Sequence, residues 1–181
     1  MKISIRLLCL IISISVFGQK LVPTKVGEDI SLKISPEFVS MSDQSRMRQV
    51  ASSKVPLAMF STQAQDVTFG INDNPMQWTE NDTETVYGFY KASVNALFDE
   101  IEYIQDTIKT INGREFIVFE FTSVIRDDNA FSGKRTLRNY TYIQYTSYKD
   151  QILLFNFGCK VRLQSQWEGV AEEMMQSIRI K

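Results

Sequence analysis

The sequence predicts an α+β fold: a mainly antiparallel sheet of about seven strands with helices packed on it. Three observations carry that expectation. Segments with strand alternation follow one another through short polar turns, as hairpins do. Asn112-Gly113, set between two β-branched and aromatic runs, is the strongest hairpin turn in the chain. No strand–helix–strand unit repeats, so nothing in the order of elements requires a parallel sheet.

Taken in order, residues 29–34 alternate as a first strand after a short leader containing Pro23 and Gly27, and Pro36 stops it. Residues 42–54 offer Ser42 or Asp43 as an N-cap and the stripe Met47, Val50 and Ala51, which predicts a short helix. Residues 57–62 and 67–71 read as two strands joined by the polar turn 63–66. The Asn, Asp and Pro content of NDNPMQWTENDTE makes a loop. Asn81 with Glu84 resembles a capping box that opens a helix to about Phe98. Its stripe Val86, Tyr87, Tyr90, Val94, Leu97 and Phe98 should face inward, with Glu84, Lys91 and Asn95 toward water. In residues 101–111 the isoleucines fall at helical spacing, yet the β-branched content predicts a strand from about Gln105. REFIVFEFTSVIR is its return strand. A second hairpin pairs the run from Thr136 with residues 151–161 across Lys149 and Asp150. The chain then closes on a helix, with Ser165 and Glu168 as capping box and Trp167, Val170, Ala171, Met174 and Ile178 as apolar stripe.

The first residues fix the expected compartment. Lys2 and Arg6 precede an apolar run, residues 7–16, interrupted only by Ser13 and Ser15. That run is too short to span a bilayer and matches a secretory h-region. Val16 and Gly18 stand as the small residues of a cleavage site, so residues 1–18 read as a signal peptide, removed to leave a single domain over 19–181. Cys9 lies too early in the run for a lipid anchor. The expected localisation is therefore exported, periplasmic or extracellular, with no membrane span after processing. The mature chain carries 18 basic and 21 acidic side chains, without the basic excess that nucleic acid demands. Cys159 is then the sole cysteine, and the alternation Leu153, Phe155, Phe157, Cys159, Val161 places it in a core as an inert thiol.

This order of elements, with ISLKISPEF near the start, INGREFIVFEF in the middle and the ending WEGVAEEMMQSIRI, resembles the PsbP-like fold family, including exported DcrB-like bacterial proteins. The resemblance spans most of the mature chain and implies a PsbP-like α/β sandwich. It also implies a small binding or accessory module rather than an enzyme. The family's partners vary widely, so it supports the fold more than a function.

The chemistry of the side chains agrees. With zero histidines, His-based acid/base catalysis, Ser/His and Cys/His dyads and most zinc or iron sites are absent. SGKR at Ser132 lacks the upstream glycine of a phosphate loop. The acidic clusters Asp73, Glu80, Asp82 and Asp127, Asp128 lack EF-hand spacing, so no catalytic, metal or cofactor residue is assigned. Tyr140, Tyr142 and Tyr148 fall on one side of their strand, with Leu137, Ile143 and Tyr145 on the other, which fits a packed core or the wall of a ligand pocket. The expectation is a non-enzymatic exported protein of the bacterial cell envelope that contacts another envelope protein or a large ligand. The alternatives are a carrier of a small apolar ligand between sheet and helices and, third, a hydrolase with an unrecognised carboxylate site. Trp78 and Phe131, one in each polar loop, are the expected contact aromatics, with Arg126, Arg135 and Arg138 around them.

Overall fold

Alternating apolar residues on paired strands bury one another across a sheet, and in the computed structural model two sheets result. It describes residues 20–42, 45–46, 55–75, 82–127, 135–149 and 151–181. The strands are β1 (Val22–Val26), β2 (Ile30–Ile34), β3 (Val39–Ser40), β4 (Ala58–Ser61), β5 (Val67–Asn74), β6 (Glu100–Ile111), β7 (Arg114–Asp127), β8 (Arg135–Tyr148), β9 (Gln151–Lys160) and β10 (Arg179–Ile180). Helix α1 (Thr83–Asn95) precedes β6, and α2 (Gln164–Gln176) follows a 3-10 turn after β9. The large sheet runs β3-β4-β5-β9-β8-β7-β6, all antiparallel, and β1-β2-β10 form a small sheet.

The large sheet is buried on both faces. One face carries Phe69, Ile71, Phe116, Val118, Tyr140, Tyr142, Phe155, Phe157 and Cys159. It packs under Trp167, Ala171, Met174, Met175 and Ile178, and under Ile30, Leu32 and Ile34 of the small sheet. The other face carries Ile117, Phe119, Phe121, Tyr145 and Ile152 and is covered by Val86, Tyr90 and Val94 of α1. Tyr90 and Tyr145 stack with ring centroids 3.9 Å apart. Each fully buried aromatic contributes roughly 2–3 kcal/mol relative to exposure, so these two layers hold the fold.

Several elements differ from the sequence expectation, each for a local reason. The leader is strand β1, because Gly27 at φ +63° closes a tight turn onto β2. Arg179–Ile180, read as the tail of the last helix, leaves it and pairs with β2. β6 begins at Glu100 rather than near Gln105. A register shift between Tyr103 and Gln105 leaves Ile104 unpaired and 49% exposed, which explains the apparent helical spacing of the isoleucines. Helix α1 ends at Asn95, and Leu97, expected inward, is 68% exposed just past it. Lys91, expected toward water, is drawn onto β6 by Asp106. The last helix starts at Gln164 with Leu163 at the N-cap and no side-chain cap, so Ser165 lies inside it rather than capping it. Val161 leaves the strand and opens the 3-10 turn. Asn81 and most of the predicted helix 42–54 lie outside the described residues, as do residues 1–19 with the expected signal peptide. Residues 45–46 are helical.

Candidate functional site

One end of the large sheet gathers the Asn112-Gly113 turn, the first turn of α1, the end of β8, the start of β9, and β10. There the chain forms a cleft of about 410 Å³. Val86, Ile117, Tyr145 and Ile152 make its apolar floor, all of them buried. Thr83, Arg114, Glu115 and Ser147 make a polar rim, and Ile180 closes the side toward the small sheet. The rim groups hold each other: Thr83 Oγ1 donates to Glu115 Oε2 at 3.3 Å and Arg114 Nη1 to the Ser147 carbonyl at 2.8 Å. Asn112 and Gly113 both have positive φ, as a type I′ hairpin turn requires. On the opposite face of the same end, a hollow of about 310 Å³ is lined by Asp29, Ile30, Leu57, Asp73, Tyr148 and Leu153. Asp29 accepts from Tyr148 Oη at 2.5 Å and from Lys149 Nζ at 2.9 Å, which holds its carboxyl below the usual range.

The second surface is the edge strand β6 with the C-terminal half of α1. Asp106 accepts from Tyr87 Oη at 2.6 Å and from Lys91 Nζ. The Lys91 ammonium also lies over the rings of Tyr87 and Tyr103, at 5.6 and 5.8 Å from their centroids. Asp106, and then Tyr87, push the Lys91 amine upward, so it stays charged across the physiological range. Tyr103 Oη donates to Asn95 Oδ1 at 3.0 Å. These contacts pin α1 to the edge. Beside them stand exposed Leu97 and Ile104 and the exposed acids Asp99, Glu100 and Glu102.

Of the expected contact residues, Arg126, Arg135 and Arg138 stand at one end of the β7–β8 pair. Trp78 and Phe131 lie outside the described residues. Residues 75 and 82, which flank the first loop, stand at the cleft end; Asp127 and Arg135, which flank the second, stand at the far end of β7, about 40 Å away at ~3.3 Å per residue. Arg126 donates its backbone N–H to Asp99 Oδ2 at 2.6 Å and pairs its guanidinium with Glu100. Strand alternation puts Arg126 and Arg138 on one face as diagonal neighbours and Arg135 on the other. Among the described residues, no three His, Cys, Asp or Glu side chains are grouped to hold a metal. Sequence reasoning missed the β6 edge; its one signal was an isoleucine run that fitted neither a helix nor an uninterrupted strand.

No protein-family model matches this chain, and no curated protein matches it in sequence. Solved structures do. PsbP (CyanoP) from the cyanobacterium Synechocystis superposes with a TM-score of 0.60 at 11% identity, over 92% of this chain and 96% of that one. LpqN, described as involved in cell envelope biogenesis of Mycobacterium tuberculosis, gives 0.57 at 11% identity over 90% and 91%. The Saccharomyces cerevisiae Ran-binding protein Mog1p gives 0.54 at 9% identity over 90% and 96%. The fold is PsbP-like, as the sequence resemblance implied.

Proposed function

We propose that this protein is an exported, non-enzymatic accessory or binding protein of the bacterial cell envelope, acting through contacts with another protein. The observation that carries the reading is the corner of α1 and β6. Two large aliphatic side chains are exposed there, Leu97 at 68% in the turn before the edge strand and Ile104 at 49% on it, with the exposed acids Asp99, Glu100 and Glu102 between them in sequence. An apolar centre within a polar rim is the make-up of a protein contact. The fold adds support, since it is shared by a Ran-binding protein and by a protein of envelope biogenesis. Export rests on the pattern of residues 1–18; intact-mass analysis of the exported protein should find Gln19 first and no acyl chain. A mass retaining Met1 would overturn export. Among the described residues no helix is long and apolar enough to cross a membrane.

The test uses the mature chain to capture partners from an envelope fraction, followed by reconstitution with the purified partner. Leu97→Asp with Ile104→Asp should lose that partner while keeping Tm, because both side chains are already in water. Unchanged capture by the double variant would remove this surface. A second reading, a carrier of a small apolar ligand, is favoured by the cleft's buried apolar floor, whose volume lies within the range of ligand pockets. It predicts saturable binding of N-phenyl-1-naphthylamine, lost in Ile180→Trp. The hydrolase reading draws no support from the cleft, since Glu115 is the one carboxylate among the described residues lining it.

A further inference from the structure

We infer that the outer edge of β6 over residues 100–103 accepts, by strand addition, an extended segment of the partner in which basic and apolar residues alternate. The inference rests on the protein-binding reading above and names the chemistry of the partner at that surface. β6 is the last strand of the large sheet, 12 residues long, and the opposite edge, β3, is only 2. A strand edge offers a row of backbone donors and acceptors to any chain that can lie along it.

The side chains decide which chain that is. The register of β6 on β7 puts Glu100 and Glu102 on one face, opposite Val124 and Thr122, and Ile101 and Tyr103 on the other, opposite Ser123 and Phe121. An added strand must follow the same alternation. Its residues beside Glu100 and Glu102 meet exposed carboxylates, of which Glu100 already pairs with Arg126 and Glu102 faces water. Those beside Ile101 and Tyr103 meet an apolar wall continued by Phe98, whose ring packs on Phe121 at 5.4 Å. Basic side chains therefore fit one face and aliphatic ones the other.

The same charges disfavour a second copy of this chain. Antiparallel self-pairing centred on Ile101 sets Glu100 opposite Glu102 twice, and centring on Glu102 sets that residue against itself; like charges directly opposite are destabilising. Strand addition over this segment would stop at the register shift after Tyr103, where Ile104 points outward. The edge is also held before binding, because Asp106 and Tyr103 tie β6 to Lys91, Tyr87 and Asn95 of α1, so little ordering remains to oppose association.

The experiment titrates the mature protein with a capped, fluorescein-labelled heptapeptide of alternating Lys and Val, read by anisotropy and by amide hydrogen exchange. Saturable binding with slowed exchange confined to residues 100–104 is expected. Glu102→Lys should keep Tm and weaken binding by about tenfold or more, since it replaces attraction by like-charge repulsion beside the peptide's lysines. A heptapeptide of alternating Glu and Val should then prefer the Glu102→Lys variant, which a merely sticky cationic peptide would not reproduce. Binding unaffected by Glu102→Lys, or protection centred on residues 112–117 at the cleft, overturns the inference. A protein that captures its envelope partner but ignores the peptide also overturns it and leaves the binding function standing; failure of both removes both.

Discussion

Cys159 lies between Val67 of β5 and Tyr140 of β8, 5% exposed, and burial pushes its thiol from 9.0 up to about 11. The thiolate is the reactive form, so the native protein should label with a disulfide reagent far more slowly at pH 8 than after denaturation. Rapid native labelling would contradict the burial. Tyr142, wholly buried, is likewise pushed up to about 12 by burial. Both groups hold their protons more tightly when folded. Their stability is complete below the unfolded values and is lost as pH rises, so unfolding by urea should become easier between about pH 9 and pH 12. The Cys159 part is roughly 2–3 kcal/mol and is removed by Cys159→Ser, which itself should cost about 1–2 kcal/mol at neutral pH. Glu120 shows the opposite treatment of a buried polar group. It is 5% exposed, yet accepts from Tyr140 Oη at 2.7 Å and from the Gln105 amide, so both its oxygens have partners.

At the scale of elements, Asn112 links two that are distant in sequence. Its φ of +50° makes the first position of the β6–β7 turn, and its Nδ2 donates to the carbonyls of Gln176 at 3.0 Å and Ile178 at 2.8 Å, at the end of α2. A hairpin residue thus adds to the helix's own C-terminal cap, where the Ser177 backbone N–H and hydroxyl donate to the Met174 carbonyl. Asn112→Ala loses both hydrogen bonds and keeps a Cβ in the left-handed region without the asparagine side chain that favours it, while Asn112→Gly loses the bonds but removes that Cβ. Alanine should cost about 2–3 kcal/mol and glycine about 1 kcal/mol less, measured by urea unfolding. Equal losses would show that backbone strain plays no part.

At the scale of the molecule, the fold is three layers: the small sheet with α2, the large sheet, and α1. The small sheet is joined to the β8–β9 hairpin by Asp29, which binds Tyr148 and Lys149. Those partners lower the Asp29 carboxyl, so the link is fully present above its ordinary value of 3.8 and is lost as pH falls through the folded value below that. Asp29→Asn should flatten the acid limb of the stability curve; an unchanged limb would show that the latch contributes nothing. The layers also separate the two surfaces, with the cleft at one end of the strands and the Glu100–Tyr103 edge toward the other.

The sequence by itself determined the sheet-dominated class, the Asn112-Gly113 hairpin, the two helices flanking four long strands, and the burial of Cys159. These follow from period and turn chemistry, which act over a few residues. It also determined that no histidine takes part in any site. Only the tertiary structure decided that residues 179–180 pair with β2 and complete a second sheet with the leader, because pairing partners some 150 residues apart leave no local mark. It decided that Lys91, its side chain still 38% exposed, pairs with Asp106, since a helix stripe cannot show which strand lies beneath it. It placed Arg126 and Arg138 together and the flanks of the two aromatic loops at opposite ends, a matter of strand direction. And it made β6 an edge: alternation specifies which face a side chain takes, but strand order, set by which buried faces pack best, specifies which strand is left without a neighbour.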